Sequence, residues 1–149
     1  MGNTVRWIGS NGNIETEILV KTEAFFNIKF PMDYTECVIQ NDGGYPKPNR
    51  FKLNGNEEIF NNLLSFDEED ESGIINTYKA VEDGLLAQVV PFAEDPFGNL
   101  LCFDYRNSHE PVIVFWDHEK AFNNKDMAVT SVCGSFTKLL SLIHESEEE

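Results

Sequence analysis

Residues 89–118, VVPFAEDPFGNLLCFDYRNSHEPVIVFWDH, constrain this chain more than any other stretch, because they read as three strands and two turns. Val89, Val90, Phe92 and Ala93 make the first strand apolar. Pro91 has no amide to donate, so that strand lies at a sheet edge or is bulged there. Asp95, Pro96, Gly98 and Asn99 are turn formers, with Gly98 able to take positive φ at little steric cost. Leu100, Leu101, Cys102 and Phe103 form a short apolar run of the kind buried on both faces. After Asp104 a polar loop leads to Pro111 and a third run, Val112, Ile113, Val114, Phe115 and Trp116, rich in β-branched and aromatic residues. The stretch is a meander, and it is expected to be the centre of the core.

Shorter signals flank it. Val5, Arg6, Trp7 and Ile8 suit a short edge strand or a packed arm. Over residues 14–26 the positions Ile14, Ile18, Leu19 and Phe25 fall on one helical face. Pro31 suits the first turn of a second helix, 32–41, with Tyr34 and Val38 turned inward, Cys37 a candidate for the same face, and Gly43-Gly44 as its stop. Residues 45–49 read as an extended loop and 50–53 as a strand closed by Asn54-Gly55-Asn56. Ile59, Phe60, Leu63 and Leu64 have helical spacing, which predicts a helix over 57–66. Ser72 is a candidate cap for a helix over 73–82, ended by Asp83-Gly84. Beyond Trp116 the chain turns polar, a short strand is expected over 127–130, and Ser131 or Ser135 caps a last helix with the stripe Phe136, Leu139, Leu140, Ile143. This order predicts one α+β domain over 1–144, with helices flanking a mostly antiparallel central sheet, and an acidic tail over 145–149.

Composition narrows the function. Of 149 residues 41% are hydrophobic and 12% aromatic, too many for a disordered chain. The net charge of −15 is concentrated in Asp67, Glu68, Glu69, Asp70 and Glu71 and in the tail, and the remainder is still acidic. Such a surface repels nucleic-acid phosphates and favours basic partners. Cys37, Cys102 and Cys133 form no CxxC pair and read as reduced core thiols. The chain shows no signal-peptide pattern and no run of about eighteen apolar residues, so a cytoplasmic protein without membrane spans is expected.

Enzymatic chemistry finds little support. Asp117, His118 and Glu119, with His109, Asp104 and Asp95 at nearby strand ends, offer metal-ligating groups, but successive strand residues point to opposite faces and would not converge without a bend. No HExxH, GxSxG elbow or glycine-rich phosphate loop is present. No catalytic residue, metal or cofactor is therefore expected. What remains is recognition of another macromolecule. Phe97 stands in a turn with Glu94, Asp95, Asp104, Asp117 and Glu119 expected around it, and the Asp67, Glu68, Glu69, Asp70 loop adds more charge. An aromatic anchor inside a carboxylate rim suits a basic protein surface. The alternative is that Phe97 folds back onto the core while the acids only solvate the sheet edge.

Five segments in order carry a family resemblance: Phe30-Pro31-Met32-Asp33-Tyr34; Asn41-Asp42-Gly43-Gly44; Val90-Pro91-Phe92-Ala93-Glu94-Asp95 with Gly98-Asn99; Val114-Phe115-Trp116-Asp117-His118-Glu119; and a closing Ser135-Phe136 helix. Together they resemble the SUKH superfamily, which includes the yeast Smi/Knr cell-wall regulators and many bacterial immunity proteins. Phe30-Pro31 stands where leucine-proline is usual. The resemblance implies an α+β fold and a non-enzymatic protein that binds and neutralises a cognate toxin domain, many such toxins being nucleases with basic clefts. The runner-up it implies is a regulatory scaffold, like the yeast relatives, binding signalling or cell-wall proteins.

Overall fold

The computed structural model describes residues 5–146; Glu147, Glu148 and Glu149 of the acidic tail lie outside the described residues. In chain order the elements are β1 (Arg6–Ile8), α1 (Thr16–Phe26), α2 (Met32–Val38), β2 (Tyr45–Lys47), β3 (Arg50–Leu53), β4 (Asn56–Ile59), β5 (Asn62–Leu63), α3 (Ile74–Val81), β6 (Val89–Glu94), β7 (Leu100–Asp104), β8 (Val112–Trp116), α4 (His118–Asn123), β9 (Val129–Cys133) and α5 (Phe136–Leu142). A five-stranded sheet runs β5-β6-β7-β8-β9, antiparallel throughout, and two small antiparallel pairs, β1-β2 and β3-β4, accompany it. This is the expected α+β layout, with the meander as the middle of the sheet.

The alternation of residues along the meander sorts its side chains into two cores, because neighbours on a strand face opposite ways. Leu101, Phe103, Ile113 and Phe115 join the larger core with Tyr34, Phe136 and Leu139. Leu100, Cys102, Val114 and Trp116 join a smaller one with Leu85 and Ala128, against which Val81 and Ala121 pack. Pro91 explains the one break in the pattern. The register slips between Pro91 and Ala93, so Phe92 and Ala93 both serve the larger core. β5 pairs only with Ala93 and Glu94, which leaves no partner strand beside Pro91 on that edge. Tyr34 is fully buried and its ring touches those of Phe30, Phe66, Phe92, Phe103 and Phe136.

Several segments differ from the sequence reading. Residues 57–66 are not a helix. Asn54 and Gly55 both have positive φ, 52° and 84°, and Leu53 pairs with Asn56, so the chain makes a two-residue hairpin and continues as β4 and β5. Residues 45–47 are not a loop but the strand β2, paired with β1. The buried face of α1 is Leu19, Thr22 and Glu23, while Ile18 and Phe25 are partly exposed. Glu23 turns inward because its carboxylate accepts the Phe30 backbone N–H at 2.7 Å. Gly73, not Ser72, precedes α3. The polar stretch after Trp116 is the helix α4, and the last strand runs to Cys133, which puts Ser131 within it and leaves Ser135 as the cap of α5.

Candidate functional site

The turn between β6 and β7 is built by Asp95. Its carboxylate is buried and accepts from Phe97 N at 2.8 Å, Asn99 N at 2.8 Å and Asn99 Nδ2 at 2.9 Å. With Asn99 Nδ2 held there, Asn99 Oδ1 faces α4, where it accepts from His118 N at 3.0 Å and lies 2.8 Å from His118 Nδ1. An amide oxygen only accepts, so Nδ1 carries the proton in that contact. Gly98 lies under the imidazole; a Cβ at this position, where φ is +91°, would stand 3.4 Å from His118 Nδ1. Asp117 in turn caps α4, accepting from Glu119 N and Lys120 N. The turn and the start of α4 are thus latched into one surface, and Phe97 projects from it, 67% exposed.

Carboxylates gather at this end of the sheet. Glu58 on β4 is pushed above the usual carboxylate range first by burial, then by Asp95 and Asp117. Glu94 is raised by burial, against the lowering effect of its bond to Asn62, and further by Asp70 and Asp95. Glu94 and Asp70 also line one small hollow beside Asn62 and Ser72. Glu58 had no place in the sequence reading, because the Asn54-Gly55 hairpin that brings it here was read as the lead into a helix.

The other expected site residues are placed elsewhere or otherwise engaged. Asp104 does not join the rim. It ends β7, opposite Val112, whereas Asp95 precedes the start of β7, so roughly 13 Å of strand separates the two ends. Burial alone would raise the Asp104 carboxyl, but Arg106, bonded through Nε at 2.9 Å and Nη2 at 2.8 Å, holds it below the usual range. Asp67, Glu68 and Glu69 line a separate groove on the α1 side, where Glu68 pairs with Lys21 at 3.4 Å. Glu119 is exposed in the first turn of α4.

The cysteines are poorly suited to nucleophilic chemistry. Burial pushes the Cys37 thiol up to about 11, despite the Asn41 amide beside it, and raises Cys102 and Cys133 as well. Among the described residues no group of three or more His, Cys, Asp or Glu side chains is arranged to hold a metal ion. No helix of the described residues is long and apolar enough to cross a membrane.

The SUKH_6 family model, described as SMI1-KNR4 cell-wall, matches residues 16–140, from the first residue of α1 into α5. The chain belongs to the SUKH family. No curated protein matches it. Within this SUKH domain the Asn41-Asp42-Gly43-Gly44 segment has a structural task. Asp42 is buried and accepts from Phe66 N at 2.8 Å and from Ser65 Oγ at 3.4 Å, which ties the loop after α2 to the segment after β5. The Pro91 bulge, the Gly98 turn and the buried Phe136 are likewise parts of the scaffold.

Proposed function

We propose that this chain is an immunity-type binding protein that neutralises a cognate toxin domain, of the basic, nuclease type, by occluding its cleft, without catalysis of its own. The observation that carries the reading is an exposed aromatic, Phe97, on a turn fixed by internal hydrogen bonds, with Asp95 of that turn acting on two groups of carboxylates, Glu58 with Asp117 and Glu94 with Asp70. A pre-formed acidic surface loses little freedom on binding and gains association rate from the attraction of a basic partner. Family membership supports recognition of a protein rather than of a small substrate.

The family description, SMI1-KNR4 cell-wall, favours a second reading, a regulatory scaffold in the same role of protein binder. Affinity capture from cells of the source strain, with this chain as bait at low and moderate salt, separates the two. A toxin-like domain released by salt, whose toxicity is suppressed when the chain is co-expressed, is the expected result. Recovery of regulatory or cell-wall proteins alone replaces the first reading with the second.

A further inference from the structure

Phe122 is the most exposed large apolar side chain in the described structure, at 91%. It lies on α4, four residues after His118, and residues four apart on a helix share a face about 6 Å apart along the axis. His118 is the residue that Asn99 clamps and that lies over Gly98, next to Phe97. Two exposed phenyl rings therefore belong to one latched unit. Met127 follows in the helical turn Lys125–Met127 after α4, and it is also exposed, at 68%.

Neither ring serves the fold. The inward contact of α4 is made by Ala121, which packs with the smaller core and would meet a Cβ at Gly84 at 3.4 Å. A helix of six residues needs no phenylalanine in solvent, and aromatic anchors rimmed by charge mark the centres of protein interfaces. The charge at the turn and the head of α4 is negative: Asp117 and Glu119 stand there, and Glu58 feels both Asp117 and Asp95. Phe122 itself is flanked along the chain by Lys120 and Lys125 as well as by Glu119 and Asp126, and the chain as a whole carries a net charge of −15.

We propose that Phe97 and Phe122 are paired anchors for a basic protein domain that offers two apolar sockets with a lysine or arginine beside them. This rests on the protein-binding reading above and adds α4 to the surface. It commits to the same occupant, a basic toxin domain, because an apolar membrane surface or a nucleic acid would have to meet this concentration of carboxylates.

The test is site-specific cross-linking in the source strain, with a photoreactive phenylalanine at position 97, at position 122, or at position 32, where exposed Met32 on α2 serves as the control. One and the same basic protein is expected from 97 and 122 and not from 32. The isolated partner should then bind F97A and F122A each at least about tenfold more weakly, or ~1.4 kcal/mol, with M32A unchanged. No product from 97 and 122, or unchanged affinity in both variants, overturns the proposal. If a toxin domain is still neutralised by F97A/F122A, the paired anchors fall while the immunity reading stands. If the partner cross-linked through both rings is not a toxin, the surface stands and the immunity reading falls.

Discussion

Replacing Asp95 with alanine removes the acceptor that organises the β6–β7 turn. Three hydrogen bonds of 2.8–2.9 Å are lost together, two of them from backbone N–H groups. Each such bond contributes about 1 kcal/mol net, more when the acceptor is charged. The turn lies near solvent, so water recovers part of the loss, and relief of the repulsion that Asp95 exerts on Glu58 and Glu94 recovers a little more. The expected cost for D95A is about 2–3 kcal/mol. D95N keeps one oxygen for the two backbone donors but turns an NH2 toward the Asn99 amide, and should cost about 1 kcal/mol. Urea unfolding followed by circular dichroism reads this directly. With a slope of about 1–3 kcal/mol per molar, D95A moves the midpoint down by about 0.7–3 M at unchanged slope. A D95A midpoint within about 0.3 M of the parent, or D95N as damaging as D95A, would refute the assignment of Asp95 to the turn.

Glu58 and Glu94 are held above the usual carboxylate range in the folded chain, so they bind protons more tightly folded than unfolded. Their contribution is present below the ordinary carboxylate pKa and is lost as pH rises through the raised values. The variant E58Q/E94Q should therefore gain a few tenths of a kcal/mol at neutral pH and show a flatter decline in stability as pH rises from the ordinary carboxylate range towards neutrality, measured by denaturant unfolding across that range. Gly55→Ala places a Cβ at φ +84° in the β3–β4 hairpin and should cost about 1 kcal/mol, measured as a thermal shift. Tyr34→Phe should leave stability unchanged or slightly higher, because the buried hydroxyl finds no hydrogen-bond partner among the described residues, whereas Tyr34→Ala should cost about 3–5 kcal/mol. A loss above about 1 kcal/mol for Y34F would show that the hydroxyl is held by a partner.

The meander was legible because its strands are long enough, apolar enough and separated by turn formers; Pro91 even announced the bulge. Residues 57–66 were misread for a physical reason. Phe60, Leu63 and Leu64 are all fully buried, and a short run of such residues carries no periodicity that tells a helix from two brief strands. The deciding signal was Asn54-Gly55, a pair that makes tight hairpins. α4 was missed because six residues with one inward apolar contact, Ala121, make no stripe. For the site, composition revealed the acids but not their grouping. Asp95 and Asp104 look like neighbours across the turn and strand, yet the length of β7 carries them to opposite ends of the sheet. Glu58 could be placed only after the hairpin was known.

The latch ties the fold to the proposed recognition. Asp95, Asn99 and His118 are engaged in holding the turn against α4, so the residues that crowd negative charge at this end are not all available to a partner. What they do is fix Phe97 and the head of α4 in place. The crowding itself works against the isolated fold, since Asp70 and Asp95 raise Glu94, and Asp95 and Asp117 raise Glu58. A basic partner would remove that repulsion as it docks, and so would salt. Raising ionic strength from about 0.05 to about 0.5 M shortens the screening length from roughly 14 to 4 Å. It should therefore raise the melting temperature of the free chain while weakening its complex with a basic partner, two effects of opposite sign from one cause. A melting temperature that falls with sodium chloride over this range would show that like-charge repulsion at the sheet end is not what limits the free fold.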